Sequence, residues 1–343
     1  MFDFAVLGGG ATGYGLALRL AADAAVQVAL VEAGPAPAAI LRRRRPRPAW
    51  RWATVAQPGL NGRAVALTAG KGLGGTAAWD AEAAPLPRPG NLTVFTDALA
   101  VRVLLQGRRA TGVELHRAGL VQQLRAARAV VLCAGALQSP LLLMRSGIGP
   151  HAHLVAAGVA TRHDLPGVGL QLQVPVRLPL PLRRGAFAAW GLRRSADDLE
   201  LVLEQPASRG RLGLQGKDPA QPPRLDPDLL SDRDDVQALA QHLRATLAGL
   251  GAEGLRAARP WAGPLPDLAL ERLLREHAEP GIGVAGGCCQ GDGPLAVVDA
   301  QLAVRGIAGL HVADASVLTQ LPADSRAVAA LGEPLAQALL RVA

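Results

Sequence analysis

Residues 2 to 32 constrain this chain more than any other stretch, because they read as one strand, a glycine turn, a helix and a second strand. Phe4-Ala5-Val6-Leu7 is a short apolar run of the kind that forms a strand covered on both faces. Gly8-Gly9-Gly10-Ala11-Thr12-Gly13 is the turn, Leu16 to Ala22 is predicted to be helical, and Val26 to Val31 is the second strand, ended by Glu32. Glycine at 8 permits the tight turn, glycine at 10 lets the backbone approach a pyrophosphate, and glycine at 13 lets the helix pack closely on the strand. The helix N-terminus then offers unpaired N–H groups to the phosphates. Glu32 follows Gly13 by nineteen residues, the spacing at which a carboxylate accepts hydrogen bonds from an adenosine ribose. The unit predicts an α/β fold with a Rossmann-like domain and a dinucleotide bound at Gly8, Gly10, Ala11, Thr12, Gly13, Glu32 and Ala33. By itself it does not say which dinucleotide.

A chain of 343 residues has room for two packed domains. Half its residues are apolar but only 3% are aromatic, so the core is expected to be Ala, Leu and Val. The net charge of +8 is almost wholly arginine, with Lys71 and Lys217 the only lysines. The densest basic run, Arg42 to Arg45 followed by Pro46-Arg47-Pro48, has no interleaved aromatics and no nucleic-acid motif, so no nucleic-acid partner is expected. No apolar run reaches eighteen residues, and no membrane span is expected; peripheral contact with an acidic membrane stays open. The sequence begins directly on a strand, without a charged and then apolar leader. Three cysteines, an odd number, argue against a disulfide framework and for a reducing compartment, the cytoplasm. Cys133, Cys288 and Cys289 are read as small buried residues, there being no Cys-x-x-Cys spacing. The histidines show no metal-ligand spacing, so no metal is expected; His151 and His153 are read as solvated, and His277 and His311 as surface or packing residues.

Further along, Leu92 to Phe95, Val101 to Leu105 and Ala110 to Glu114 read as strands around a turn at Gly107, and Ala129 to Gly135 as a buried strand. That strand runs into Gly135-Ala136-Leu137-Gln138-Ser139-Pro140-Leu141-Leu142-Leu143-Met144-Arg145-Ser146-Gly147-Ile148-Gly149. Other blocks are Gln57-Pro58-Gly59-Leu60-Asn61-Gly62-Arg63, Gly70-Lys71-Gly72-Leu73-Gly74-Gly75-Thr76-Ala77-Ala78-Trp79-Asp80, Pro206 to Leu212, Pro222 to Pro227, and Gly309-Leu310-His311-Val312-Ala313-Asp314-Ala315-Ser316. In order and spacing they resemble the glucose-methanol-choline family of flavin oxidoreductases. The resemblance implies FAD as the cofactor, with Gly74, Gly75 and Thr76 along the flavin and pyrophosphate, a main-chain group of Ala100 at the adenine, Ala134 and Gly135 near the cofactor, and Asp314 with Ala315 at the ribityl or pyrophosphate region. It implies hydride transfer from an alcohol carbon to flavin, with oxygen or a quinone-like acceptor taking the electrons. A nicotinamide dehydrogenase needs only the N-terminal unit and leaves 135 to 149 unexplained.

The domain expectation is a discontinuous FAD-binding domain, 1–170 with 292–343, and a smaller sheet-plus-helix substrate domain at 171–291, including a helix from Val236 to Leu250. The family's chemistry uses a histidine as base and a second Asn or His. Aligned without gaps, those positions fall here on Gly283 and Ala327, so the catalytic pair is expected to be missing and oxidation impaired. Gln171-Leu172-Gln173-Val174-Pro175 replaces a more polar run of the family, and only ten residues separate Asp80 from Asn91, where relatives carry a long lid.

Overall fold

The computed structural model describes residues 1–36, 48–76, 89–180, 193–194, 199–249, 261 and 265–341. The Arg42 to Arg47 run, residues 77–80 of the lysine-and-glycine block, the link to Asn91 up to residue 88, and Leu250 lie outside them.

The opening unit forms as its pattern predicts. Strand β1 (Phe2–Leu7) and β2 (Val28–Val31) pair in parallel, with helix α1 (Ala11–Leu20) between them. Phe4 to Leu7 are completely buried, so the apolar run is a central strand covered on both faces. The helix begins at Ala11, earlier than Leu16, because the turn passes straight into it from Gly10. β3 (Ala49–Ala53) and β4 (Ala66–Gly70) form an antiparallel ribbon. β5 (Leu92–Phe95) extends the main sheet beside β2, while β6 (Ala98–Gln106), β7 (Arg109–Arg117) and β8 (Leu120–Leu132) form an antiparallel meander. β8 starts nine residues before the expected strand at Ala129. Its first half pairs with β7, and its buried second half lies between β1 and the C-terminal β18 (Leu310–Val312), parallel to both. The resulting sheet runs β5-β2-β1-β8-β7-β6, with β18 also on β8.

From β8 the chain enters α2 (Gly135–Arg145), then the parallel pair β9 (Ile148–Gly149) and β10 (His163–Asp164) around α3 (His151–Ala156). The middle of the chain contributes two smaller sheets. One is β11 (Leu170–Leu172), β15 (Gly210–Gly213) and β16 (Arg224–Asp226); the other orders β13 (Arg193–Arg194), β14 (Leu199–Leu203), β12 (Val176–Leu180) and β17 (Glu279–Pro280). Helix α4 (Arg233–Ala248) starts before Val236 because Asp232 caps it, its carboxylate accepting from the Asp234 N–H; Val236, Leu239 and Leu243 form its buried face. α5 (Asp267–His277), α6 (Ser325–Ala329) and α7 (Gly332–Arg341) complete the described helices. None of them is long and apolar enough to cross a membrane.

The Gln57 to Arg63 block serves packing. The buried Gln57 carboxamide accepts from Leu229 N–H at 3.0 Å and donates to Asp226, and Arg63 donates to the Arg275 and Ala278 carbonyls at 3.0 and 2.6 Å. The block thus fastens the loop after β3 to the middle of the chain.

Candidate functional site

The C-terminal ends of β1, β2, β8 and β18 converge on one cavity of about 530 Å³, the place where open parallel sheets bind ligands. Gly8, Gly10, Ala11 and Thr12 line it from the first turn, Glu32 and Ala33 from the end of β2, and Gly74, Gly75 and Thr76 from the second glycine block. Ala100 contributes from β6, Ala134 and Gly135 from the end of β8, and Asp314 with Ala315 from the end of β18. Residues more than three hundred positions apart in sequence thus meet, as the expected return of the chain requires.

Gly13 is the exception among the expected ligand contacts. A Cβ there would stand 2.0 Å from the Gly8 carbonyl oxygen and 2.8 Å from the Cys133 side chain, so this glycine seats helix on strand and does not face the cavity. At Gly10 the opposite holds: the nearest atom to an added Cβ is the Cys133 carbonyl oxygen at 4.0 Å, leaving ligand-sized space beside the helix N-terminus. The two glycine blocks also touch each other. Gly74 donates to the Gly9 carbonyl at 2.7 Å, and a Cβ on Gly75, whose φ is +57°, would lie 3.3 Å from Gly10 Cα.

Glu32 is buried, and its carboxylate accepts from Gly9 N–H through one oxygen and from Gly34 N–H through the other, both at 2.7 Å. Each oxygen keeps lone-pair capacity for a ribose hydroxyl. Asp314 is 4% exposed; its Oδ2 accepts from Gly135 N–H at 2.9 Å and Ser139 Oγ–H at 2.6 Å, and its Oδ1 from Ser316 N–H at 2.8 Å. Burial raises its pKa above the usual carboxylate value, against hydrogen bonds that lower it. The carboxylate therefore staples the end of β18 to the start of α2 as well as lining the cavity. Burial and the nearby Asp314 charge push the Cys133 and Cys288 thiols well up. All three cysteines are free and buried.

The remaining wall differs in character. Ile282, Gly283 and Val284 line it, with Pro322, Ala323, Asp324, Ser325 and Val328 opposite. Gly283 has φ +107° and nothing within 4 Å of an added Cβ, so space is open beside it. Ala327 is exposed and does not line the cavity. Asp324 caps α6, its carboxylate accepting from the Arg326 and Ala327 N–H groups, and Ser325, though exposed, is among the lining residues. Thr12 Oγ donates to the Val328 carbonyl at 3.0 Å and ties this segment to α1. Among the described lining residues there is no histidine.

Several lining residues escaped the motif reading. Trp50 and Trp52 alternate on β3 and stack with ring centroids 5.2 Å apart, with Lys71 Nζ 4.4 Å from the Trp50 ring. The i, i+2 spacing of two aromatics was the available signal. Gln138 and Arg145 face the cavity from α2, one helical face of the 135–149 block. Of the histidines, His277 packs edge-on against buried Trp261, while His153 is half-buried and its Nε2 accepts from Leu214 N–H at 2.9 Å. No group of three metal-ligating side chains occurs among the described residues.

Two models of one family, both described as GMC oxidoreductase, match residues 82–176 and 206–331. The chain belongs to the GMC oxidoreductase family. It is 31% identical over 299 residues to an oxygen-dependent choline dehydrogenase of Yersinia pseudotuberculosis, covering 67% of this chain and 53% of that protein. It is 33% identical over 308 residues to an uncharacterized GMC-type oxidoreductase of Mycobacterium bovis, covering 70% and 57%. The chain thus spans about half the length of the curated relatives it matches. Among solved structures it resembles pyridoxine 4-oxidase from Mesorbium loti, with TM-score 0.84, 22% identity and full coverage of both chains. It also resembles an FAD-dependent oxidoreductase from Chaetomium thermophilum, with TM-score 0.84, 17% identity and 99% coverage of each. The mixed α/β fold is that of GMC flavoenzymes, and the family's cofactor is FAD.

Proposed function

We propose that this chain seats FAD in the 530 Å³ cavity and acts as an FAD-dependent oxidoreductase on the CH–OH group of a small alcohol, weakly in this form. The observation that carries the reading is the convergence on one cavity of the Gly8 to Thr12 turn, the buried Glu32 carboxylate and the α2 N-terminus beside Asp314. The fit is chemical as well as spatial. Open space at Gly10 and at Gly135, where φ is +84° and no atom lies within 4 Å of an added Cβ, suits backbone lying against a pyrophosphate and a flat ring system. Glu32 would hold the ribose, Ala100 the adenine, and Asp314 with Ala315 the ribityl or pyrophosphate portion.

Bound FAD supplies the hydride acceptor. The chain's own residues bind and orient it; the electrons then pass to oxygen or a quinone-like acceptor. The wall at Ile282 to Val284 and Pro322 to Ser325 is the substrate side, and it offers no side chain suited to take the hydroxyl proton near neutral pH among the described residues. That observation favours the second reading, a flavin-binding homologue that is catalytically impaired. Residues 1–170 with 292–343 serve as the cofactor-binding part and 171–291 as the substrate part, a division supported by β18 joining the main sheet. Three free buried thiols support a cytoplasmic setting.

The purified protein is expected to show the visible bands of oxidised flavin. Anaerobic addition of alcohols is expected to bleach them slowly. A colourless protein that fails to take up FAD would overturn the cofactor reading, and rapid bleaching would overturn the impairment.

A further inference from the structure

A second pocket, of about 300 Å³, lies behind the C-terminal end of α2 and opens on the outer face of the β6–β8 meander. Its charge is one-sided. Arg102 comes from β6, Arg125 from β8, Arg145 from the last turn of α2 and Arg162 from the segment before β10, and no described lining residue is acidic. The strand register brings the first two together: Arg102 is paired with Glu114 and Glu114 with Gln123, while the next row on the same face holds Leu104, Gly112 and Arg125. Gly112 carries no side chain, which leaves the floor of that row low.

The four guanidinium groups are unequally committed. Arg102 is bound to Glu114 at 2.7 Å. Arg125 reaches only the neutral Thr111 hydroxyl and Gln123 carboxamide, both at 3.4 Å. Arg162 is exposed and has no side-chain acceptor among the described residues. Arg145 is mostly buried, donates to the Val101 carbonyl at 3.1 Å and to Gln138 at 3.2 Å, and has no carboxylate partner among the described residues. Burial lowers its pKa to about 10, the mark of a cation whose lost hydration is not made good by a counter-charge. The carbonyls at that end of α2 are taken by the N–H and hydroxyl of Ser146 and the N–H of Gly147, so the guanidinium groups and not the helix end supply the attraction for an anion.

We propose that the pocket ringed by Arg102, Arg125, Arg145 and Arg162 is a binding site for a compact ligand carrying two or more phosphate groups. Guanidinium forks recognise phosphate and carboxylate oxygens in pairs. One carboxylate has too few oxygens to engage four of them, whereas linked phosphates present several terminal oxygens within a few ångströms. Because Arg145 lines both this pocket and the main cavity, a ligand here sits one side chain away from that cavity. The site is separate from the oxidation chemistry and does not rest on it.

Calorimetric titration of the FAD-saturated protein with tripolyphosphate tests it, since the cofactor cavity is then filled. Saturable binding of one ligand per chain is expected, weakened at least tenfold in R125Q/R162Q, two exposed positions that leave the core intact. R233Q/R244Q removes the same charge from α4 and is expected to stay within twofold of the parent. R145K, which keeps the charge and loses the fork, is expected to fall between. Vesicles carrying a polyphosphoinositide separate the two sources of such groups: recruitment lost in R125Q/R162Q assigns a lipid headgroup, and binding of tripolyphosphate without recruitment assigns a free ligand. Absence of saturable binding, an equal loss in R233Q/R244Q, or citrate binding as tightly as tripolyphosphate would overturn the proposal.

Discussion

The two ends of the main cavity are built on opposite terms. At the cofactor end the two buried carboxylates and the glycine blocks are held before any ligand arrives: Glu32 by two backbone N–H groups, Asp314 by three donors, the two glycine blocks by a direct hydrogen bond. At the substrate end Ile282 is 69% exposed, Gly283 leaves open space, and the only charge among the described lining residues, Asp324, is spent capping α6. Preorganised dipoles and charges are what binding and catalysis draw on. The contrast teaches that a cofactor seat and the chemistry conducted on it are separable parts of a fold.

The largest expected effects break the cofactor end in two distinguishable ways. Gly13→Val forces a side chain into the Gly8 carbonyl and Cys133 and is expected to prevent folding, a loss above about 4 kcal/mol. Gly10→Val fills the ligand's space without a clash, and is expected to give a folded protein that no longer binds FAD. Circular dichroism together with an FAD titration separates them. A Gly10→Val protein with parental affinity would show that the phosphates lie elsewhere.

The next effect addresses the substrate end. Gly283→His with Ser325→Asn places a base and a polar partner among the residues lining the cavity. Anaerobic flavin reduction by an alcohol is expected to rise about ten- to hundredfold, below the roughly 10²–10⁴ of a well-placed base because a side chain at φ +107° is strained. The rate should also acquire an imidazole pH dependence. Pairing Gly283→His with Ala327→Asn is expected to give no more than Gly283→His alone, since Ala327 does not line the cavity; equal gains from both pairs would show that position 327 serves as well as 325.

These variants also show what the sequence could and could not disclose. The β1-turn-α1 unit and Glu32 were legible because local geometry sets them: glycine spacing and strand length place the carboxylate under the turn without help from the rest of the chain. The place of Ser325 among the lining residues was not, because counting forward from Asp314 gives distance along the chain and not which residues around α6 reach the cavity. The first half of β8 was missed for a related reason. Leu120 and Val121 are exposed and residues 122–128 carry one large apolar side chain, Leu124, among polar and small ones, so the stretch has a weak pattern of its own and is a strand because β7 pairs with it. The hydrogen bond to His153 was not legible because its donor, Leu214, lies sixty-one residues away.

A smaller effect sharpens the cofactor end. Glu32→Gln leaves one oxygen to accept and turns an amide toward the other N–H, so either Gly9 or Gly34 loses its partner in a buried place. A cost of about 1–3 kcal/mol in stability is expected, with FAD affinity reduced about tenfold because the ribose loses an ionised acceptor. Denaturant unfolding of the FAD-free protein and an FAD titration read the two separately, and affinity unchanged at reduced stability would make Glu32 a structural brace alone.

The smallest effect tests whether acid parts the two sides of the molecule. His153 on α3 accepts a hydrogen bond from Leu214, just past β15, and so joins the first portion of the chain to the middle one. Burial and the nearby Arg224 lower its pKa below the ordinary value of 6.5. The unfolded chain therefore takes up the proton first as pH falls: the contribution is complete above about 6.5, declines below it, and is gone once the folded imidazole itself protonates. A hydrogen bond of this kind is worth about 0.5–1.5 kcal/mol net, and partial exposure of the ring puts the expected loss at the lower end. His153→Gln keeps an acceptor within reach of the Leu214 N–H and removes the titration. Unfolding midpoints compared at pH 7.5 and pH 5 should then fall further for the parent than for the variant, with hydrogen exchange at Leu214 accelerating in the parent while the amides of Gly9 and Gly34 remain protected. Equal acid sensitivity in both proteins, or loss of protection first at Gly9, would show that the cofactor end is not the sturdier of the two.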